Sequence, residues 1–193
     1  KPGAAIDVMA DYCAMLPARV IALLMGVPQA RDRDIRRWAT AFMLSADMAP
    51  QERQQCNVEL AAFFADHVRQ HIEARERGEN PPGVLINAFL DAEVDGQRLT
   101  LDEVIRFCVT VTVAGAETTS FLIGNLFAVF ADMPWVWQAL RDDPDKFTAF
   151  YEETLRFHGP PQRLFRVALK DAQVGGATIR RGEWVACFFG AAN

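Results

Sequence analysis

Between Arg106 and Asp132 the only formal charge is Glu117, so one uninterrupted apolar segment occupies the middle of the chain. A run of this length folds as a helix, either packed inside a protein or passing through a bilayer. The β-branched stretch Val109–Val113 favours a strand locally. Thr100 with Glu103 three residues on is a capping-box pattern, however, and apolar residues continue on both sides of the stretch. One buried helix from Thr100 to about Ala131 is therefore predicted.

A carboxylate in the middle of such a helix is costly to bury unless something satisfies it. Glu117 lies beside Gly115, whose bare backbone admits a close neighbour, and beside the hydroxyls of Thr118 and Thr119. A membrane span would set Glu117 at the hydrocarbon midplane, which is expensive, and amphipathic helices surround it in sequence. A plain core helix needs a buried partner for Glu117, and nothing local supplies one. A cofactor-facing helix would use Gly115 for clearance, with Glu117 and Thr118 as a proton-transfer pair. The residues alone leave the last two readings open.

The flanking pattern is mostly helical. Helices are predicted over 18–25, closed by Gly26 and Pro28, and over 32–44, with Ile35, Trp38, Phe42 and Met43 at helical spacing. Residues 45–50 break the pattern, and an amphipathic helix follows over 51–77. Shorter helices are expected over 84–93, 134–141 and 145–157, with a turn at 94–98. Strands are predicted at 164–169, 172–174, 178–179 and 184–189 around Gly-Gly and Arg-Gly turns. The fold class is mainly α with a small β-sheet near the C-terminal end, in a single partial domain over 1–193. A net charge of −5 argues against a nucleic-acid partner.

Smaller constellations carry less. Glu153 and Arg156 share a helix face at i, i+3, where the guanidinium fork can be held for a third partner. His67 and His71 are spaced for a metal but have no third ligand in view, so a solvated helix face is expected. His158 reads as a helix-end cap. Cys13, Cys56, Cys108 and Cys187 show no zinc or C-x-x-C spacing, which fits buried thiols in a reducing, cytoplasmic setting.

The two main constellations combine. Ala114-Gly-Ala-Glu-Thr-Thr119 resembles the oxygen-binding segment of the long central helix of cytochromes P450, and Glu153-x-x-Arg156 before Gly-Pro-Pro resembles that family's E-x-x-R helix. Arg166-Val-Ala, Val174-Gly-Gly and Ile179-Arg-Arg-Gly resemble the strands that follow, and Leu16-Pro-Ala-Arg-Val-Ile21 resembles the bacterial soluble members. No loop of the form F-x-x-G-x-H-x-C-x-G, which carries the iron's thiolate, occurs before Asn193; the expectation is the middle of a P450.

The resemblance implies haem b as cofactor, with its axial Cys not in this chain. Ala114 and Gly115 would lie against the haem and leave a pocket for dioxygen. Thr118 would hydrogen-bond the iron-bound oxygen, and Glu117 would pass protons from solvent. Arg166 would pair with a haem propionate, and Glu153 with Arg156 would form the fold's core joint. Thr110, Val113, Leu164 and Phe165 would line an apolar substrate pocket roofed by the helices around 38–44 and 51–77. Dioxygen and a ferredoxin-type or reductase electron donor are the implied partners, with neither nucleic acid nor membrane. The alternative is a haem-free P450-derived helical interaction module.

Overall fold

A computed structural model describes residue 3, residues 5–43 and residues 48–193. Its helices are α1 (Met15–Leu24), α2 (Asp32–Met43), α3 (Pro50–Glu76), α4 (Val84–Asp91), α5 (Leu101–Asp132), α6 (Pro134–Asp142) and α7 (Phe147–Phe157). Its strands are β1 (Glu93–Val94), β2 (Gln97–Arg98), β3 (Arg163–Val167), β4 (Ala172–Val174), β5 (Ala177–Ile179) and β6 (Trp184–Phe188). The predicted helix at 32–44 ends at Met43; Leu44, with the break at 45–47, lies outside the described residues. The chain divides into two compact units, Lys1–Phe121 and Leu122–Asn193, and α5 runs through the division.

The apolar segment is one helix of 32 residues, so tertiary burial overrides the β preference of Val109–Val113. Its start is fixed as the capping box requires. The Thr100 backbone N–H donates to Glu103 Oε2 at 2.8 Å, and the Glu103 N–H donates to Thr100 Oγ1 at 3.3 Å. Length and apolarity alone would let α5 cross a membrane. Val104, Cys108 and Val113 instead sit in the core of the first unit.

That core is built from stripes at helical spacing. Helix α3 contributes Cys56, Leu60, Phe64 and Val68, against Ala18, Ala22 and Met25 of the α1 segment and Ile35, Trp38 and Ala41 of α2. Each of the larger side chains stabilises by roughly 1.5–3 kcal/mol through burial. Polar joints add register. Arg19 Nε donates to the buried Asp32 at 3.1 Å, tying α1 to α2. Glu59 accepts from Trp38 Nε1 and Gln55 Nε2, both at 3.0 Å, and pairs with Arg37; these donors hold its carboxyl at about 2.

Gly26 ends α1 at φ +68°, and a Cβ there would lie 2.0 Å from the Pro82 carbonyl oxygen. Close approach of the 81–83 loop to the end of α1 therefore requires glycine. Nearby, the His67 ring meets the Met25 carbonyl at 3.0 Å and the His71 ring meets Asn87 Oδ1 at 2.8 Å. His71 is 4% exposed, so this pair is not the solvated face expected. Both imidazoles serve as joints for α3, and the described residues hold no third metal ligand.

The second unit is knit by rings. Phe130 stacks on Phe150 at 5.2 Å and meets Trp137 edge-on at 5.3 Å, joining the end of α5 to α6 and α7. Asn125 Nδ2 donates to the His158 carbonyl, so the end of α7 is held from α5. The β strands form separate antiparallel pairs, β1–β2, β3–β6 and β4–β5, rather than one sheet. In β3–β6, Leu164 faces Cys187 and Arg166 faces Val185.

Candidate functional site

The two faces of α5 differ in kind. One is a buried row that includes Val104, Cys108, Thr112, Val113, Ala116, Glu117 and Ser120. The other exposes Phe107, Thr110 and Ala114, with Thr118 half-buried one turn on. Small side chains leave this second face open around Ala114.

Glu117 is 9% exposed, and its partner comes from a different helix: Thr40 Oγ1 on α2 donates to Glu117 Oε1 at 2.6 Å. The partner that sequence proximity does not supply is thus provided 77 residues away. Thr118 behaves differently. Its hydroxyl donates to the Ala114 carbonyl at 2.6 Å, one turn back on its own helix. With its proton so committed, Thr118 offers lone pairs to anything on the open face. Glu117 and Thr118 are neighbours in sequence, but no hydrogen bond joins their side chains among the described contacts.

Gly115 admits a close neighbour, as its type suggests. That neighbour is Ile21 of α1, whose Cδ1 would lie 2.8 Å from an added Cβ. The glycine opens α5 to α1, while Ala114 carries the exposed side.

The expected substrate-pocket residues differ in exposure within their own units. Thr110 is exposed, but Val113 is 3% exposed and belongs to the core. Leu164 and Phe165 are consecutive in β3, so they point to opposite faces of the ribbon. Only one can line any given pocket. Helix pairing within the proposed roof is firm: the Trp38 and Phe63 ring centroids are 5.3 Å apart, beside the Arg37–Glu59 pair.

Glu153 and Arg156 form a bidentate pair at 2.8 and 2.6 Å, and the guanidinium holds the Glu153 carboxyl below its usual range. Both side chains are solvent-exposed. Arg166 is exposed on β3 and donates to the Phe165 carbonyl at 2.9 Å; no carboxylate pairs with it among the described residues.

A planar, apolar group with carboxylate arms fits what is present in part. Within the first unit the open face at Ala114 and Thr118 would accept a flat ring; within the second, taken by itself, the exposed Arg166 guanidinium would accept an acid. The thiols do not offer an iron ligand. Cys13, Cys56 and Cys108 are buried, burial pushes the Cys108 thiol up to about 12, and Cys187 is half-buried in the β6 ladder.

Comparison with known proteins gives a consistent answer. The Cytochrome P450 family model matches residues 34–192. The putative cytochrome P450 YjiB of Bacillus subtilis is 34% identical over 195 residues, covering 97% of this chain and 48% of that protein. Cytochrome P450 109 of Bacillus spizizenii is 33% identical over 192 residues, covering 97% of this chain and 47% of that protein. Among solved structures, CYP109E1 of Bacillus megaterium in complex with testosterone matches with a TM-score of 0.79 at 29% identity, over 97% of this chain and 50% of that one. P450BioI in complex with an acyl carrier protein ligated to hexadec-9Z-enoic acid matches with a TM-score of 0.80 at 28% identity, over 97% and 48%. The chain spans about half the length of the curated relatives it matches. Nothing in these comparisons supports a haem-free interaction module. The matched region takes in the open face of α5, the buried acid and the E-x-x-R fork, and the chain belongs to the cytochrome P450 family.

Proposed function

We propose that the protein to which this chain belongs is a haem-thiolate monooxygenase acting on a small apolar organic substrate. One oxygen atom of O2 enters a C–H bond and the other leaves as water, with two electrons and two protons consumed. Electrons come from NAD(P)H through a ferredoxin-type partner or a reductase. Haem b would supply the oxygen chemistry when bound, and none of the thiols described above would hold its iron.

This chain's residues handle position and protons. Ala114 would face the ring, with Gly115 setting the approach of α5 to α1. Arg166 would pair with a propionate. Thr118 would accept a hydrogen bond at Oγ1 from the oxygen side of the site, its own proton being held on Ala114. Glu117 would carry protons at Oε1 and Oε2 from solvent toward that face. Thr110 and one of Leu164 or Phe165 would contact substrate. An apolar substrate is consistent with the testosterone and hexadecenoic acid in the two structural relatives. A cytoplasmic protein without nucleic-acid or membrane partners completes the reading.

The observation that supports this is a buried acid in α5, Glu117, within a turn of the exposed Ala114 and beside the half-buried hydroxyl of Thr118. The test uses the full-length protein with haem supplied. It should give the thiolate-haem absorption band on reduction with carbon monoxide, and Thr118→Ala should divert reducing equivalents to hydrogen peroxide. A full-length protein without that band refutes the monooxygenase. Unchanged coupling in Thr118→Ala refutes the role of its hydroxyl.

A further inference from the structure

We propose that Thr40 is the solvent-side positioning residue for Glu117, holding the carboxylate and relaying protons to it from a cleft beside α2. The inference rests on the proton role given to Glu117 above.

Among the described residues, three other buried or half-buried hydroxyls bond to their own helices. Thr118, Ser120 and Thr154 donate to the carbonyls of Ala114, Ala116 and Phe150, each four residues back. Thr40 does not. Its single proton goes across to Glu117 Oε1 at 2.6 Å, from a position otherwise flanked by the buried apolar Trp38, Ala39 and Ala41. Packing alone would be met by valine at that place.

Thr40 is half-buried, and it also lines an open cavity of about 580 Å³ with Asp11, Met15, Arg33, Arg36 and Arg37. Its hydroxyl oxygen therefore stands between solvent and an acid that solvent scarcely reaches. One lone pair can accept from a cleft water while the O–H donates inward. Arg37 is held by Glu59 and by Cys56 Sγ, and Arg36 approaches Met15 Sδ at 3.7 Å. Arg33 has no ion-pair partner among the described residues. These guanidinium groups favour the negative charge left behind when a cleft water gives up its proton. In the transfer, Thr40 Oγ1 takes a proton from water as it releases its own to Glu117 Oε1. Thr40 ends as it began, one proton has moved, and no electron has.

The experiment compares wild type, Thr40→Val and Thr40→Ser in the full-length holoenzyme. The first readout is the infrared band of the Glu117 carboxyl group, isolated by subtracting the Glu117→Gln spectrum and measured without turnover. The second is the partition of reducing equivalents between product and peroxide, in H2O and D2O. Thr40→Val should shift the band and lower product per reducing equivalent by about ten-fold. That is less than the hundred-fold or more of a complete proton-transfer group, because water can enter the gap. Thr40→Ser should restore both readouts, and the solvent isotope effect on partition should change only in Thr40→Val. Thr40→Ala carries the same expectations and serves if valine disturbs folding. An unshifted band overturns the contact. A shifted band with unchanged partition overturns the relay and leaves Thr40 a structural partner. Loss of the thiolate-haem band in wild type would instead refute the monooxygenase reading, and the infrared result would still report on the Thr40–Glu117 contact.

Discussion

Replacing Gly115 with alanine separates two roles a glycine can play in α5. If it only clears space on the open face, a methyl group there should leave folding intact. The geometry puts the methyl elsewhere, 2.8 Å from Ile21 Cδ1 and 3.2 Å from Ile21 Cγ1. Alanine gains roughly 1 kcal/mol over glycine in a helix interior. Overpacking costs about 1–3 kcal/mol, toward the lower end here because the obstructing atom is the tip of a flexible side chain. Gly115→Ala should thus be destabilising by about 0–2 kcal/mol. Ile21→Val deletes Cδ1 itself, and alone should cost about 0.5–1.5 kcal/mol. In the double variant the new methyl fills the space that Cδ1 leaves. Its stability should return to that of wild type or exceed it, a coupling of about 1–3 kcal/mol. Chemical denaturation of the full-length protein and its three variants measures this directly. Additivity within about 0.5 kcal/mol would refute the packing argument, as would a stabilising Gly115→Ala.

Three further outcomes are expected. Gly26→Ala should cost about 3 kcal/mol or more, since it adds a left-handed backbone penalty of about 1–2 kcal/mol to a clash with the Pro82 backbone that cannot yield; a loss under about 1 kcal/mol in denaturant would refute it. The Glu59 carboxyl, drawn to about 2 by its Trp38, Gln55 and Arg37 donors, has a folded value below its ordinary 4.5, so its contribution is complete above that value and lost as pH falls toward 2. Wild type should therefore lose stability more steeply than Glu59→Gln between pH 4.5 and 2, and parallel curves would count against the cluster. Thiol labelling of the native protein should modify Cys187 well before Cys108, whose burial suppresses the thiolate; equal rates would mean that α5 opens readily.

Local chemistry made much of this molecule readable beforehand. Thr100 and Glu103 fixed the start of α5, and Pro134 and Gly26 marked boundaries where the chain turns. The motif order placed the acid, the hydroxyl and the E-x-x-R fork on the right helices. What escaped were contacts that depend on how one helix registers on another. Thr40 reaches Glu117 across 77 residues, and its only advance sign was a hydroxyl among apolar neighbours on α2. His67 and His71 looked like a wet face because i, i+4 spacing does not say which side of α3 is covered. Val113 and Thr110 are i, i+3 and only about 60° apart around α5, yet the edge of the core falls between them, so spacing alone does not say that one is buried and the other exposed.

The β3–β6 ribbon bears on how this protein is best handled. Leu164, Phe165 and Val167 on one strand, and Trp184 and Phe188 on the other, are exposed, and two strands leave two open edges. An isolated pair of this kind is marginal in water, and its free N–H and C=O groups are a template for another strand. Arg163 and Arg166 act as charged interruptions along β3, but none lies within β6. Residues 1–193 expressed by themselves are therefore expected to associate edge to edge as concentration rises. A light-scattering series of this chain against the full-length protein would show it, and a lysine at Val185 or Phe188 is the place to begin engineering a soluble piece.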